Sequence, residues 1–393
     1  MSIARVLRSI RVVEQGTFIT GPCAGMMLAD LGADVVKIES PEGDPYRSYQ
    51  GKAYSPHFQA YNRNKRGVCL DLKAAADREV FEGLIRDADV YIQNFRPGTA
   101  ARLGAGAERL QAINPRLVYC SISGFGGSGP YVDRPSYDSV AQAVSGFLSV
   151  VVDQDRPRFL GPALADAITG IYAAYGVLGA LFERGTSGRG RVVEVSMLEA
   201  MAHFAVEPYA AYFALGQVPQ SSDRPRLAQA YILRTADARL IAVHLSSLEK
   251  FWLGLTEAIA APQIRNDPRF ATRQGRIDHY DELGTVLDVE FRRRPLAEWV
   301  VRLDAQDVPY APINSVDAVV NDPQVQHLDL VVPVEHAHAA RQAIRPAVSF
   351  DGVRAASVSA APLLDEHGEA IRSAVLNGRS WAVNELASGG SSR

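Results

Sequence analysis

Along the first 123 residues the apolar positions switch period in a regular way. "RVVEQG" (11–16), "ADVVKIES" (33–40), "DVYIQNF" (89–95) and "RLVYCSIS" (116–123) are short apolar runs rich in β-branched residues, and predict strands. Between them, "AGMMLADLG" (24–32), "AADREVFEGLIRDA" (75–88) and "AERLQAIN" (107–114) repeat apolar residues at helical spacing. Short links join these segments, as in a mostly parallel sheet covered by helices. Ligands of such sheets collect at the carboxyl ends of the strands, which directs attention to loops 15–23, 39–66, 93–104 and 123–138.

Residues 163–184, "ALADAITGIYAAYGVLGALFER", predict one tightly packed central helix studded with Gly170, Gly176 and Gly179. Each glycine costs a helix about 1 kcal/mol relative to alanine, so close approach of a neighbouring backbone is the expected compensation. A further strand and helix follow in 185–204, and "GQVPQSSDRPR" (216–226) has the Pro, Ser and Gly content of a linker. "AYILRT" (230–235) and "RLIAVHL" (239–245) then predict strands, with amphipathic helices in "LEKFWLGLTEAI" (248–259) and "LAEWVVRLDA" (296–305). The expected organisation is a large α/β domain with a Rossmann-like, mostly parallel sheet (1–205 with 325–393) and a smaller α+β domain (225–315). Linkers are expected at 206–224 and 316–324, and the tail "ASGGSSR" is expected to be disordered.

The 393 residues carry a net charge of −3, so no global basic field favours nucleic acid, and an anionic ligand must meet local cations. No uninterrupted apolar run reaches the roughly 20 residues of a membrane span. Arg5, Arg8 and Arg11 precede the first acid, Glu14, but "RVLRSIRVVEQG" runs straight into the first strand without a secretory apolar core. Cys23, Cys69 and Cys120 are odd in number, widely spaced and set among apolar neighbours, as reduced thiols are. A cytoplasmic protein without membrane attachment is therefore expected.

Gly124, Gly126 and Gly129 reproduce the G-x-G-x-x-G spacing of a dinucleotide-binding loop. That fingerprint requires a helix to open at the last glycine, where its free N–H groups meet the pyrophosphate. Pro130 and Pro135 follow instead, and describe a loop with another purpose. Asp166, near the start of the Gly-rich helix, has two readings. It is a first-turn acid of the common stabilising kind, or a carboxylate nucleophile beside backbone N–H groups. Spacing alone leaves both open.

Almost the whole chain resembles the family III CoA-transferases, the group that includes formyl-CoA and carnitine-related transferases. The resemblance is carried by "GPCAGMMLADLGADVVKIE" (21–39), "NRNKRGVCLDLK" (62–73), "ADVYIQNFRPG" (88–98), "INPRLVYCSISGFGGSGPY" (113–131), "ADAITGIYAAYGVLGAL" (165–181), "GRGRVVEVSM" (188–197), "VPYAPINS" (308–315) and "APLLDEH" (361–367). It implies that Asp166 is the catalytic aspartate and that coenzyme A is contacted near Phe18, Leu72, Asn94, Arg102, Leu103 and Tyr137, with Met197 near the pantetheine. Arg102 is the cation expected at the nucleotide phosphates, since guanidinium pairs bidentately with phosphate; the alternative is a solvated helix-face charge. "NRNKR" (62–66) is either a phosphate clamp or a solvated turn. Asp138 matches a position where relatives carry an active-site acid.

The chain departs from the formyl-CoA branch at Ile19, where that branch has a polar amide, and at "VHLSSLEKF" (243–251), where it has a glycine-rich loop. An apolar Phe18–Ile19 wall is expected to favour an acyl group larger or more hydrophobic than formyl, with His57 and His244 as candidate pocket residues. The resemblance implies exchange of CoA between an acyl-CoA and a carboxylic acid through aspartyl-anhydride and aspartyl-CoA intermediates, and an interlocked homodimer. Coenzyme A is substrate and product, with no permanently bound cofactor and no metal. Two alternatives stand beside it. An α-methylacyl-CoA racemase needs an acid and a base on opposite faces of the α-carbon, and racemases of this group place a His before the acid where this chain has Ser136-Tyr137-Asp138. A non-catalytic CoA-binding protein would not need Asp166 for activity.

Overall fold

The computed structural model describes residues 6–49, 54–153, 155–159, 161–246, 248–335 and 341–382, so the tail expected to be disordered lies outside the described residues. Two compact units emerge: Met1–Leu148 with Phe159–Glu207 and Pro323–Arg393, and Ser149–Arg158 with Pro208–Asp322. In the first unit six strands, β1 (Arg11–Gln15), β2 (Asp34–Glu39), β3 (Lys65–Cys69), β4 (Val90–Gln93), β5 (Val118–Ser123) and β6 (Val192–Ser196), form one sheet in the order β3-β2-β1-β4-β5-β6. Every neighbouring pair is parallel.

Alternation along the strands sorts side chains to two apolar layers. Val13, Val36, Tyr91 and Tyr119 join one buried cluster, and Val12, Val35, Val90, Ile92 and Val118 join another. Helices α1 (Thr20–Asp30), α2 (Pro56–Asn62), α3 (Ala75–Asp87), α4 (Thr99–Arg102), α5 (Ala107–Ile113), α6 (Asp138–Val144), α7 (Leu164–Ser187) and α8 (Met197–Phe204) connect or follow the strands. The strand order reverses between β1 and β4, whose ends pair at Gln15 and Gln93. Loops leaving two adjacent strands in opposite directions open a crevice there, the ligand position of doubly wound sheets.

The glycines of α7 have unequal duties. A Cβ on Gly170 would stand 2.6 Å from Cys23 Cβ and 2.9 Å from the Thr20 carbonyl oxygen, so α7 reaches α1 only with glycine there; one on Gly179 would meet nothing within 4 Å. Ala173 and Val177 pack in the sheet cluster, while Tyr175 and Phe182 are 73 % and 87 % exposed. Contrary to the reading of the apolar runs, α7 is long and apolar enough to cross a membrane by length and composition. Its sheet-packed face is that of a core helix.

Residues 39–66, expected to be one loop, hold α2 and the start of β3. "NRNKR" does turn, at Arg63 and Asn64 between α2 and β3, but its cations are spent inside the protein: Arg63 pairs with Asp30, Arg66 with Asp34, and Lys65 is buried on Glu14.

In the second unit, strands Ala230–Arg234, Leu240–His244 and Tyr310–Pro312 form an antiparallel sheet, with Phe291 stacked on Trp299 at 4.1 Å in the helical core. The segment 206–224, read from composition as a linker, contains the helix Val206–Leu215 and the start of Asp223–Ala228.

Candidate active site

Asp166 owes its setting to the N-terminus of its helix, α7. Ala163 precedes α7 and has no side chain to cap it. The free N–H groups of Ala165 and Asp166 donate instead to Asp138 Oδ1, at 2.7 and 3.3 Å. Asp138 opens α6, and its Oδ2 accepts from Gln142 Nε2 at 2.7 Å. The acid expected in the substrate pocket does line the cavity, and both of its oxygens hold protein groups.

Burial, and then the neighbouring Asp138 charge, push the Asp166 carboxyl up to about 7. It therefore exchanges its proton near neutrality. The thiols are a different matter. Burial raises Cys23 to about 11 and Cys120 to about 12, which keeps both neutral and unreactive.

Asp166 lines a cavity of about 520 Å³ at the crevice between β1 and β4. Phe18 and Ile19 come from the loop after β1, Asn94 to Pro97 from the loop after β4, and Ser123 to Gly126 from the end of β5 and the loop beyond. Tyr137 and Met197 complete the set of expected residues brought together here, beside Tyr46, Tyr49 and Arg134. Asn94 spends its amide on protein: Oδ1 accepts from Thr17 N at 2.9 Å, and Nδ2 donates to Thr17 O and Thr20 Oγ1, both at 2.8 Å.

The other expected contacts form a second group. Leu72 and Leu103 line an adjoining hollow of about 230 Å³ that shares Thr17 and Phe95 with the first cavity. The same two leucines line a third, of about 420 Å³, with Lys73, Arg78, Arg102 and Arg109. Shared lining residues place the three hollows side by side: Asp138 and Asp166 face Arg96 and Arg134 in the first, Glu39, Glu42, Asp44 and Asp71 line the second, and the cations of the third outnumber its one acid, Glu82. Arg102 is exposed, and its Nη2 donates to Thr99 Oγ1 at 2.8 Å.

Neither histidine lines the Asp166 cavity. His57 stands behind it, its ring centre 5.5 Å from Tyr46 and 5.0 Å from Tyr49. His244 belongs to the second unit, where it bonds Ser246 Oγ and lines a hollow with Tyr231 and Tyr280.

Sequence reasoning missed Arg134 and the buried ions beneath the loop after β1. Arg134 lines the cavity with its guanidinium 4.3 Å from the Tyr131 ring centre and 5.7 Å from that of Phe125. Below the loop, Glu14 and Lys37 are register partners on β1 and β2. Glu14 also accepts from Lys65 Nζ at 2.8 Å, and Lys37 Nζ stands 3.1 Å from Asp44 Oδ2. Charges in mid-strand were the available signal; their partners required the topology. Among the described residues no group of three or more His, Cys, Asp or Glu is arranged to hold a metal ion.

The family model described as CoA-transferase family III matches residues 7–368. A succinate–glutarate CoA-transferase from Agrobacterium fabrum is 34 % identical over 84 % of this chain and 85 % of its own length. A formyl-CoA:oxalate CoA-transferase from Streptomyces avermitilis is 32 % identical over 93 % of this chain and 94 % of its own. The crystal structure of a CAIB/BAIF family protein from Brucella suis superposes with a TM-score of 0.84 at 31 % identity, covering 94 % of this chain and 99 % of that one.

Proposed function

The chain belongs to CoA-transferase family III and is a CoA-transferase, and we propose that transfer runs through Asp166 as a temporary covalent carrier between two carboxylic acids. The Asp166 carboxylate attacks the donor thioester, and CoA leaves as thiolate from a mixed anhydride. The thiolate then attacks the aspartyl carbonyl, which releases the donor acid and leaves an aspartyl-CoA thioester. An incoming carboxylate displaces the thiolate to form a second anhydride. Thiolate attack on the new acyl carbonyl gives the product thioester and restores Asp166. One thioester replaces another, so the exchange is close to energy-neutral.

The observation that carries this reading is a carboxyl near neutral pKa in a cavity at the sheet's reversal point, with a hollow lined by Lys73, Arg78, Arg102 and Arg109 on the same side of the fold, one hollow away. The thioester belongs at Asp166 and the nucleotide toward Lys73 and Arg102, where guanidinium and ammonium meet phosphate. Apolar Phe18 and Ile19 shield a water-sensitive anhydride. We assign to the acyl group an apolar stretch against those two residues and an anionic end against Arg134. Two acids named for a relative, succinate and glutarate, have both the methylene stretch and the second carboxylate of this class, and oxalate has the second carboxylate alone. A racemase reading lacks support, because position 137 is Tyr and Asp138 is engaged on α7.

The exposed α7 stripe of Ile171, Tyr175 and Phe182 supports burial against a second copy, in the interlocked homodimer expected from the resemblance. Three unpaired cysteines support a cytoplasmic setting. The test is incubation with an acyl-CoA panel, a hydroxylamine quench and mass analysis of the Asp166 peptide. A CoA or hydroxamate adduct there is expected; exchange at the substrate α-carbon with no adduct would favour the racemase.

A further inference from the structure

Phe18 has φ +58°, a left-handed conformation in which the Cβ of a bulky side chain crowds its own backbone. Nothing local favours it, so the surroundings must hold it. Its N–H donates to Asp44 Oδ1 at 3.1 Å. The residues on its N-terminal side are held equally: Asn94 grips both backbone polar groups of Thr17, Gly16 N donates to Glu14 Oε1 at 2.7 Å, and Lys37 Nζ donates to Gly16 O at 2.7 Å.

Asp44 is itself locked. It is 3 % exposed; its Oδ1 also accepts from Tyr46 N at 2.9 Å, and its own N–H donates to Glu39 Oε2 at 2.9 Å. Glu39 in turn takes Arg47 Nε and Nη2 at 2.7 and 2.6 Å. Lys37 Nζ stands 3.1 Å from Asp44 Oδ2 and forms a fully buried ion pair with it. Glu14, Glu39 and Asp44 balance Lys37, Lys65 and Arg47, so this buried assembly is neutral without a ligand. Its free-standing product is the placement of one ring: Phe18 lies 5.8 Å from Tyr46 and 6.2 Å from Tyr137, all three on the cavity wall.

We propose that Asp44 is a positioning residue that holds Phe18 in its left-handed conformation, so that the Phe18 ring is the fixed wall that selects the acyl group. The inference rests on the CoA-transfer reading for its substrate, and on the loop alone for its clamp. A wall kept in place by buried charges discriminates acyl groups by shape, because yielding to a misfit would break the clamp.

The experiment combines F18A, F18G, D44A, D44N and F18G/D44A in the full chain. Two readouts are used: denaturant midpoints, and exchange of labelled acid into its own acyl-CoA with acetyl-, succinyl- and hexanoyl-CoA. Glycine needs no clamp at φ +58°, so F18G is expected to unfold at a higher midpoint than F18A, the reverse of the usual order. D44A is expected to lower kcat by about tenfold, leave KM for acyl-CoA nearly unchanged and flatten the preference among donors. In the F18G background the same substitution should have less than about a third of that effect, the non-additivity of residues acting through one another.

D44N keeps an acceptor oxygen for the Phe18 amide but removes the charge that faces Lys37, and is expected to fall between the parent and D44A in donor preference; it also serves if D44A fails to fold. The proposal is overturned if F18A is the more stable of the pair, if D44A costs the same with Phe or Gly at 18, or if D44N is as damaging as D44A. Should the parent protein exchange no acid at all, the CoA-transfer reading fails, while the F18A and F18G midpoints still decide the clamp.

Discussion

Asp166→Asn removes a charge that the fold pays to keep. The carboxyl is lifted from 3.8 to about 7, so the unfolded chain gives up this proton at a lower pH than the folded chain does. Between those values the folded state binds more protons, and the contribution of Asp166 to stability falls as pH rises. The loss begins near pH 4 and is complete above about 7. Each unit is about 1.4 kcal/mol, which sets a ceiling of about 4 kcal/mol. Partial solvent access at Asp166 reduces that to about 1–3 kcal/mol. The asparagine has no such cost. Urea unfolding followed by circular dichroism is expected to give parent and D166N equal stability at pH 4, with D166N the more stable by that margin at pH 8. Activity moves the other way, with a loss of at least about a thousandfold, since the covalent route is gone. Equal stability at both pH values, or a parent-like rate in D166N, would refute the reasoning.

Three other outcomes follow from the same geometry. The kcat/KM profile should rise with pH through about 7 as Asp166 ionises, and D138N should move its midpoint to lower pH by removing the neighbouring charge; a midpoint unmoved in D138N would separate the two acids. G170A should destabilise by about 1–3 kcal/mol in thermal unfolding, because its methyl would meet Cys23 and the Thr20 carbonyl, whereas G179A should cost nothing or stabilise slightly. R134A should raise KM about tenfold for succinyl-CoA and leave acetyl-CoA nearly unchanged, in steady-state assays, as expected for one lost charge-assisted contact.

The strands that carry the cavity were legible because a sheet buried on both faces leaves long apolar runs, and β1, β2, β4 and β5 stand where those runs predict. β3 was hidden because "KRGVC" opens with two cations, and only the folded chain reveals that Lys65 is buried on Glu14 and Arg66 paired with Asp34. Asp166 was legible as a candidate; its cap was not, since Asp138 lies 28 residues away and replaces what Ala163 lacks. The basic end was half legible. Arg102 was expected, but its association with Lys73, Arg78 and Arg109 depends on how β3, α3, α4 and α5 pack. Two expectations read differently in the folded chain: the Pro- and Ser-rich stretch 216–226 runs into the helix Asp223–Ala228, and His57, a candidate pocket residue, packs on Tyr46 and Tyr49 outside the cavity lining.

The covalent role proposed for Asp166 would leave a mark that can be weighed. When a carboxylate labelled with oxygen-18 serves as acceptor in a single turnover, its attack on the aspartyl thioester puts its own oxygen in the anhydride bridge, and thiolate attack on the new acyl carbonyl leaves that oxygen on the enzyme. Mass spectrometry of the peptide containing Asp166 is expected to find one heavy oxygen on that side chain. An active enzyme whose Asp166 stays unlabelled through turnover would contradict the account.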